Sequence, residues 1–157
     1  MEILQIDPTN RAMIDAFIIR EWFTLQMVVH GERIDLGTAD GWYACENEDI
    51  LGLITYRISG GVMEILSLDS LRENQGIGTA LLSRALSKAR ADGLKRITLT
   101  TTNDNLRAMQ FYQKRGFDMV KLDRNALEQA RRLKPEIPLI GLNGIPLRHE
   151  IEFELTL

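Results

Sequence analysis

The sequence predicts an α/β (α+β) chain with a mixed sheet of about seven strands and helices on both faces. Three observations carry that expectation. Alternating apolar segments separated by short turns fill residues 42–68, the apolar period changes from two to 3.6 at Gly76, and strand-like and helix-like segments alternate from there onward. The 157 residues, 45% of them hydrophobic, suffice for one domain with a sizeable core, and no repeat or linker divides residues 1–157.

Residues 2–6 read as a short strand, and Asp7-Pro8-Thr9-Asn10 supplies turn and cap chemistry for a helix from Arg11. Its patterning runs unevenly to Val29. Residues 42–46, 50–59 and 62–68 form an antiparallel meander, broken by Asn47-Glu48-Asp49 and by Gly60-Gly61, a tight hairpin signal. Beyond Gly76, the residues Gly78, Leu82, Ala85, Leu86 and Ala89 share one helical face, and Gly93 stands where a left-handed C-terminal cap belongs. Residues 96–101 read as a strand, 105–115 as a helix that Gly116 ends, 117–122 as a strand and 125–133 as a helix. A Pro/Gly-rich connection, 135–146, leads to a last alternating strand at 149–157.

Charge and composition narrow the function. The 19 Lys and Arg against 22 Asp and Glu leave a net charge of -3, so no positive field draws a polyanion and nucleic-acid binding is disfavoured. No apolar run reaches the roughly 20 residues of a membrane-spanning helix. The first residues carry no basic leader, and Cys45 has no second cysteine to pair with. A soluble protein of a reducing cytoplasm is the expectation.

The turn Asp69-Ser70-Leu71-Arg72-Glu73-Asn74-Gln75-Gly76-Ile77-Gly78-Thr79 joins a strand to a helix. Such a turn can aim several backbone N–H groups at one point, and the helix N-terminus adds its positive dipole end, a combination that suits a phosphate or pyrophosphate. Two glycines making a sharp turn is the other reading. No lysine follows Gly78, which excludes the triphosphatase loop; the third glycine of a dinucleotide fingerprint is missing and the turn comes after several strands.

The stretch Glu73-Asn74-Gln75-Gly76-Ile77-Gly78 resembles the acetyl-CoA-binding motif of the GCN5-related N-acetyltransferases, Gln/Arg-x-x-Gly-x-Gly/Ala, with Glu73 in the Gln/Arg slot and Arg72 beside it. A second block, from Asn105 through Ala108, Phe111 and Tyr112 to Gly116 and Phe117, is similar to that family's Asn-x-x-Ala-x-x-Phe-Tyr-x-x-x-Gly-Phe. The resemblance implies a strongly twisted acyl-CoA N-acyltransferase-like fold. It also implies transfer of acetyl from acetyl-CoA, without a metal, directly to a primary amine of a small molecule or peptide. Its cofactor contacts are the backbone of Asn74, Gln75, Gly76, Ile77, Gly78 and Thr79 for the pyrophosphate, and Leu66, Leu68 and Ser70 for the pantetheine arm. The N–H of Leu68 is implied as donor to the thioester oxyanion, Asn105 as a partner of the arm, and Tyr112 as proton donor to the departing thiolate. Asn105 and Tyr112 lie two helical turns apart, roughly 10 Å along the axis, so one elongated ligand can touch both. Tyr112 also reads as a core aromatic.

Glu64 is the expected general base, since strand alternation puts Glu64, Leu66 and Leu68 on one face; a solvated or salt-bridged glutamate on the sheet surface is the alternative, and a bulge would change the facing. His30 and His149 read as surface histidines. Arg131, Arg132 and Lys134 are either a solvated helix end or a contact for the ribose phosphate, and Trp22, Phe23, Met27 and Val28 either line an acceptor pocket or form a core stripe. A non-catalytic acyl-CoA sensor is the rival function. Longer acyl groups, a protein N-terminus as acceptor and a homodimer stay open.

Overall fold

A computed structural model describes residues 1–157. In chain order the elements are β1 (Glu2–Gln5), α1 (Arg11–Trp22), β2 (Gln26–Val29), β3 (Glu32–Asp35), β4 (Asp40–Glu46), β5 (Asp49–Ser59) and β6 (Val62–Ser70). There follow α2 (Ile77–Ala91), β7 (Arg96–Thr102), α3 (Leu106–Lys114), β8 (Asp118–Asp123), α4 (Ala126–Leu133) and β9 (Glu150–Thr156). Seven strands make one mixed sheet in the order β1-β4-β5-β6-β7-β9-β8, while β2 and β3 pair separately. This is the sheet the sequence predicts, with the last strand inserted ahead of β8.

The chain divides into two compact units, Met1–Gln26 with Asp35–Ile97 and Leu157, and Met27–Ile34 with Thr98–Thr156. In the first, β1, β4, β5 and β6 form the antiparallel meander. Its turns follow from local chemistry: Gly60 and Gly61 both take positive φ, 58° and 76°, the backbone twist a two-residue hairpin needs. Ile14, Phe17 and Ile18 of α1 and Ile77, Leu81, Leu82 and Ala85 of α2 are fully or almost fully buried, as are Leu53 and Ile54 of β5. Burying side chains of this size contributes about 1.5–3 kcal/mol each. In α2 the buried stripe shares Leu82, Ala85 and Ala89 with the apolar face read from the sequence but adds Ile77 and Leu81, while Gly78 and Leu86 are half-buried; Gly93 takes the left-handed φ of 67°. In the second unit Phe153 is fully buried, with Phe117 and Leu99 nearly so. A smaller cluster joins Leu127, Ala130 and Leu147 to Val28, Ala126 and Ile137.

The helical reading to Val29 is corrected. Helix α1 stops at Trp22 because Phe23 turns left-handed (φ 67°), its N–H donating to the Ile19 carbonyl at 2.7 Å. Residues Gln26–Val29 instead pair with Glu32–Asp35 around His30 and Gly31, both at positive φ. Two successive left-handed residues and the β-branched pair Val28-Val29 favour a hairpin over a helix. Trp22 and Phe23 are 55% and 88% exposed, which excludes the core-stripe reading for both, whereas Val28 packs in the smaller cluster.

At Gly41 of β4 the backbone of β5 comes so near that a Cβ would stand 2.0 Å from the Ile54 carbonyl oxygen. Gly41→Ala therefore forces two paired strands apart. It is expected to lower stability by about 2–3 kcal/mol, read as a fall in melting temperature of roughly 4–10 °C.

Candidate active site

The end of β6 and the start of α2 hold the motif residues of the first unit. Strand β6 is not regular: Tyr56 pairs with Ile65 and Thr55 with Ser67, so Leu66 is one residue more than β5 can match. An extra residue of this kind breaks the ladder locally and reverses the alternation of side chains beyond it. Glu64, paired with Arg57, thus shares its face with Ser67 and Asp69, which pair with Thr55 and Leu53. Leu68, paired with Ile54, points the other way. The expectation that Glu64, Leu66 and Leu68 share one face is corrected by this bulge.

Glu64 accepts a hydrogen bond and ion pair from Arg57 Nε at 2.7 Å, with 16% of its side chain exposed. The salt-bridged reading of this residue is the observed one. Next along the same face, the hydroxyls of Thr55 and Ser67 share a hydrogen bond at 2.5 Å. Asp69 follows, half-buried, accepting from the Trp22 indole Nε1 at 3.2 Å. Burial pushes the Asp69 carboxyl up to about 6 and the charge of Glu21 adds to this, against the lowering effect of the Trp22 hydrogen bond. Asp69 belongs to the quoted turn but received no role in the sequence reading; its signal is a carboxylate directly after the strand residue whose N–H is expected to act.

Past Ser70, whose hydroxyl donates to the Arg72 carbonyl at 3.0 Å, the chain is exposed until Ile77. Asn74 and Gly76 are both left-handed, at φ 59° and 76°. Asn tolerates this conformation and Gly prefers it, which is why an Asn-x-Gly can turn the chain into α2. Gly76 is the N-cap, and neither a capping side chain nor an acidic residue stands in the first turn. The amides of Ile77, Gly78 and Thr79 thus open the helix at its positive end. A Cβ on Gly76 would meet no atom within 4 Å, so the requirement there is conformational. Arg72 approaches Glu46 at 3.7 Å. On the opposite sheet face, a Cβ on Gly52 would meet Ile77 and Leu81, so β5 admits α2 only because that position is bare.

In the second unit Asn105 is the N-cap of α3, its Oδ1 accepting from the Ala108 N–H at 3.1 Å. The cap occupies the oxygen and leaves the carboxamide NH2 to bind an acceptor. Tyr112, only 6% exposed, meets Phe111 and Phe117 edge-on at 5.2 and 5.4 Å and lies 6.1 Å from Phe153. Its ring therefore belongs to the core, whatever its hydroxyl does. His30 bonds Thr100 Oγ1 through Nε2 at 3.2 Å, and its backbone N–H donates to Oε1 of the buried Glu150 at 3.2 Å. His149 Nδ1 accepts from the Asn125 N–H at 2.9 Å, a structural use. Burial and the charge of Glu2 push the Cys45 thiol up, which opposes nucleophilic use. No three His, Cys, Asp or Glu residues are grouped as a metal would require, and no helix is long and apolar enough to cross a membrane.

The profile of the Acetyltransferase (GNAT) family matches residues 4–117. The chain belongs to the GNAT acetyltransferase family. The match includes both motif blocks, and with it the expectation of an acetyl-CoA-dependent acetyltransferase is met at the level of the family. The Bacillus subtilis protein YdhI, itself described as uncharacterized, is 45% identical over 98% of this chain and 96% of its own. A Bacillus subtilis acetyltransferase solved in complex with CoA superposes with a TM-score of 0.72 at 21% identity, covering 99% of this chain and 98% of that one. A GNAT acetyltransferase from Elizabethkingia anophelis with acetyl-CoA bound gives 0.71 at 20%, covering 99% and 97%. At those identities the structural likeness concerns the fold.

Arg131 is tied into the fold. Its guanidinium donates to the carbonyls of Ile137, Pro138 and Leu147 at 3.3, 2.7 and 2.6 Å, fastening α4 to the Pro/Gly-rich connection. Arg131→Ala would leave those carbonyls without their donor and is expected to cost about 2 kcal/mol, seen as a melting temperature lower by roughly 4–8 °C.

Proposed function

We propose that this protein transfers an acetyl group from acetyl-CoA directly to a primary amine of a small molecule or peptide, as a single cytoplasmic domain needing no metal. The observation that carries this reading is the uncapped start of α2, reached through the left-handed Asn74 and Gly76 immediately after the bulged strand β6. Backbone N–H groups at the positive end of a helix are complementary to a diphosphate. CoA and acetyl-CoA bound in structures of the same fold support it.

Under the proposal the backbone of Asn74 through Thr79 receives the pyrophosphate. The pantetheine arm runs along Leu66, Leu68 and Ser70 by β-augmentation, and the Leu68 N–H donates to the oxyanion as the amine attacks. Asn105 and Tyr112 have the roles the family resemblance implies: a hydrogen bond to the arm, and a proton for the leaving thiolate. A protonated phenol beside the sulfur can give that proton. Glu64 remains a base only if the acceptor displaces Arg57. Glu73 in the slot for Gln or Arg is the feature that favours a non-catalytic CoA sensor instead.

Calorimetric titration with CoA, followed by thiol release from acetyl-CoA with primary amines, tests the proposal. Heat with CoA and thiol release together are expected; heat alone would favour the sensor, and no heat would sink both. Gly76→Ala, which strains a left-handed position, is expected to weaken CoA at least tenfold, equivalent to about 1.4 kcal/mol. Tyr112→Phe is expected to leave CoA affinity intact and lower kcat by about 10²-fold.

A further inference from the structure

We infer that Asp69 is the carboxylate that receives the acceptor's ammonium and removes its proton, and that Trp22 is the residue that positions it; this rests on the acetyl-transfer reading above. Asp69 follows Leu68 directly, so a group beside the Leu68 amide is one residue from this side chain; alternation sets Asp69 on the face opposite Leu68, and the bulge at Leu66 makes that the face of Glu64. Cofactor contacts along the backbone and acceptor contacts on the Asp69 face are thereby separated within one strand. The carboxylate is half-buried and only its Oδ2 is taken by the Trp22 indole, at 3.2 Å. Trp22 itself is 55% exposed at the end of α1, next to the 88% exposed Phe23. An exposed indole fixed beside a carboxylate attracts an organic cation through both ring face and charge.

The groups facing Asp69 agree. Glu21 on α1 adds negative charge and is itself paired with Arg20 at 3.4 Å. Leu53, opposite on β5, is fully buried and uncharged, and the farther Arg57 is engaged by Glu64. No cation is bonded to Asp69, in contrast to Glu64. With its carboxyl pushed up to about 6, Asp69 is ionised at neutral pH yet more basic than an ordinary carboxylate. In the reaction a C–N bond forms and the C–S bond breaks. The ammonium gives one proton to Asp69 before it attacks, and the second proton that the nitrogen sheds as the amide forms balances the one taken up by the departing CoA thiolate.

The test compares wild type, Asp69→Asn and Trp22→Phe, with CoA calorimetry, melting curves, and thiol release using spermidine, n-hexylamine and tyramine from pH 5 to 9. Wild-type kcat is expected to rise with pH through a limb near 6. Asp69→Asn should lose that limb and at least 10²-fold in kcat, with CoA affinity kept. Trp22→Phe should move the limb upward, because the lost hydrogen bond was lowering it. The folded state holds the Asp69 proton more tightly than the unfolded chain, so this carboxylate costs stability as pH rises through 4 to 6. The asparagine variant should therefore melt roughly 2–4 °C higher at pH 8, the reverse of a structural role. A limb retained in Asp69→Asn, kcat within threefold, or a lower melting temperature overturns the inference. CoA heat without thiol release from any of the three amines overturns it while leaving CoA binding intact; absence of CoA heat in wild type sinks the parent reading instead.

Discussion

Strand β6 carries one residue more than β5 can pair, and the consequences of that mismatch at Leu66 run through the first unit. A hydrogen-bonded ladder admits an extra residue only by leaving it unpaired and bending the strand. Upstream of the bulge the core faces are held by Met63 and Ile65, both buried. Downstream, the polar side chains Ser67 and Asp69 come onto the face of Glu64, while Leu68 goes to the face that α2 covers. The same strand thus presents backbone in one place and carboxylates in another.

The second constraint is conformational. Asn74 and Gly76 must both be left-handed for the chain to enter α2 without a capping side chain. Residues without a Cβ, or with a short amide, take that conformation at little cost, whereas others cost roughly 1–2 kcal/mol. What results is a helix whose first turn bears no acidic residue, with Lys88 and Arg90 at the far end, where they suit the dipole.

Charged side chains divide by use. Arg131 spends its donors on three carbonyls, and His149 takes one amide; both hold segments of the second unit in place. Arg57 and Glu64 neutralise each other. Asp69 differs, since burial works against its charge and a neutral indole is its bonded partner. Titratable groups held in that condition concentrate where proton transfer is needed.

Much of this was readable from local pattern. The Gly60-Gly61 hairpin, part of the apolar face of α2, the cap at Gly93 and the two motif blocks depend on residues within a few positions of one another, and local sterics decide them. The end of α1 escaped because helical spacing persisted past Trp22, although a hairpin through His30-Gly31 was the better bonded solution. Which face Glu64 and Asp69 occupy was decided only by tertiary structure. Side-chain facing in a strand is inherited from its register with a neighbour, and one unmatched residue reverses it without leaving a mark in the strand's own composition.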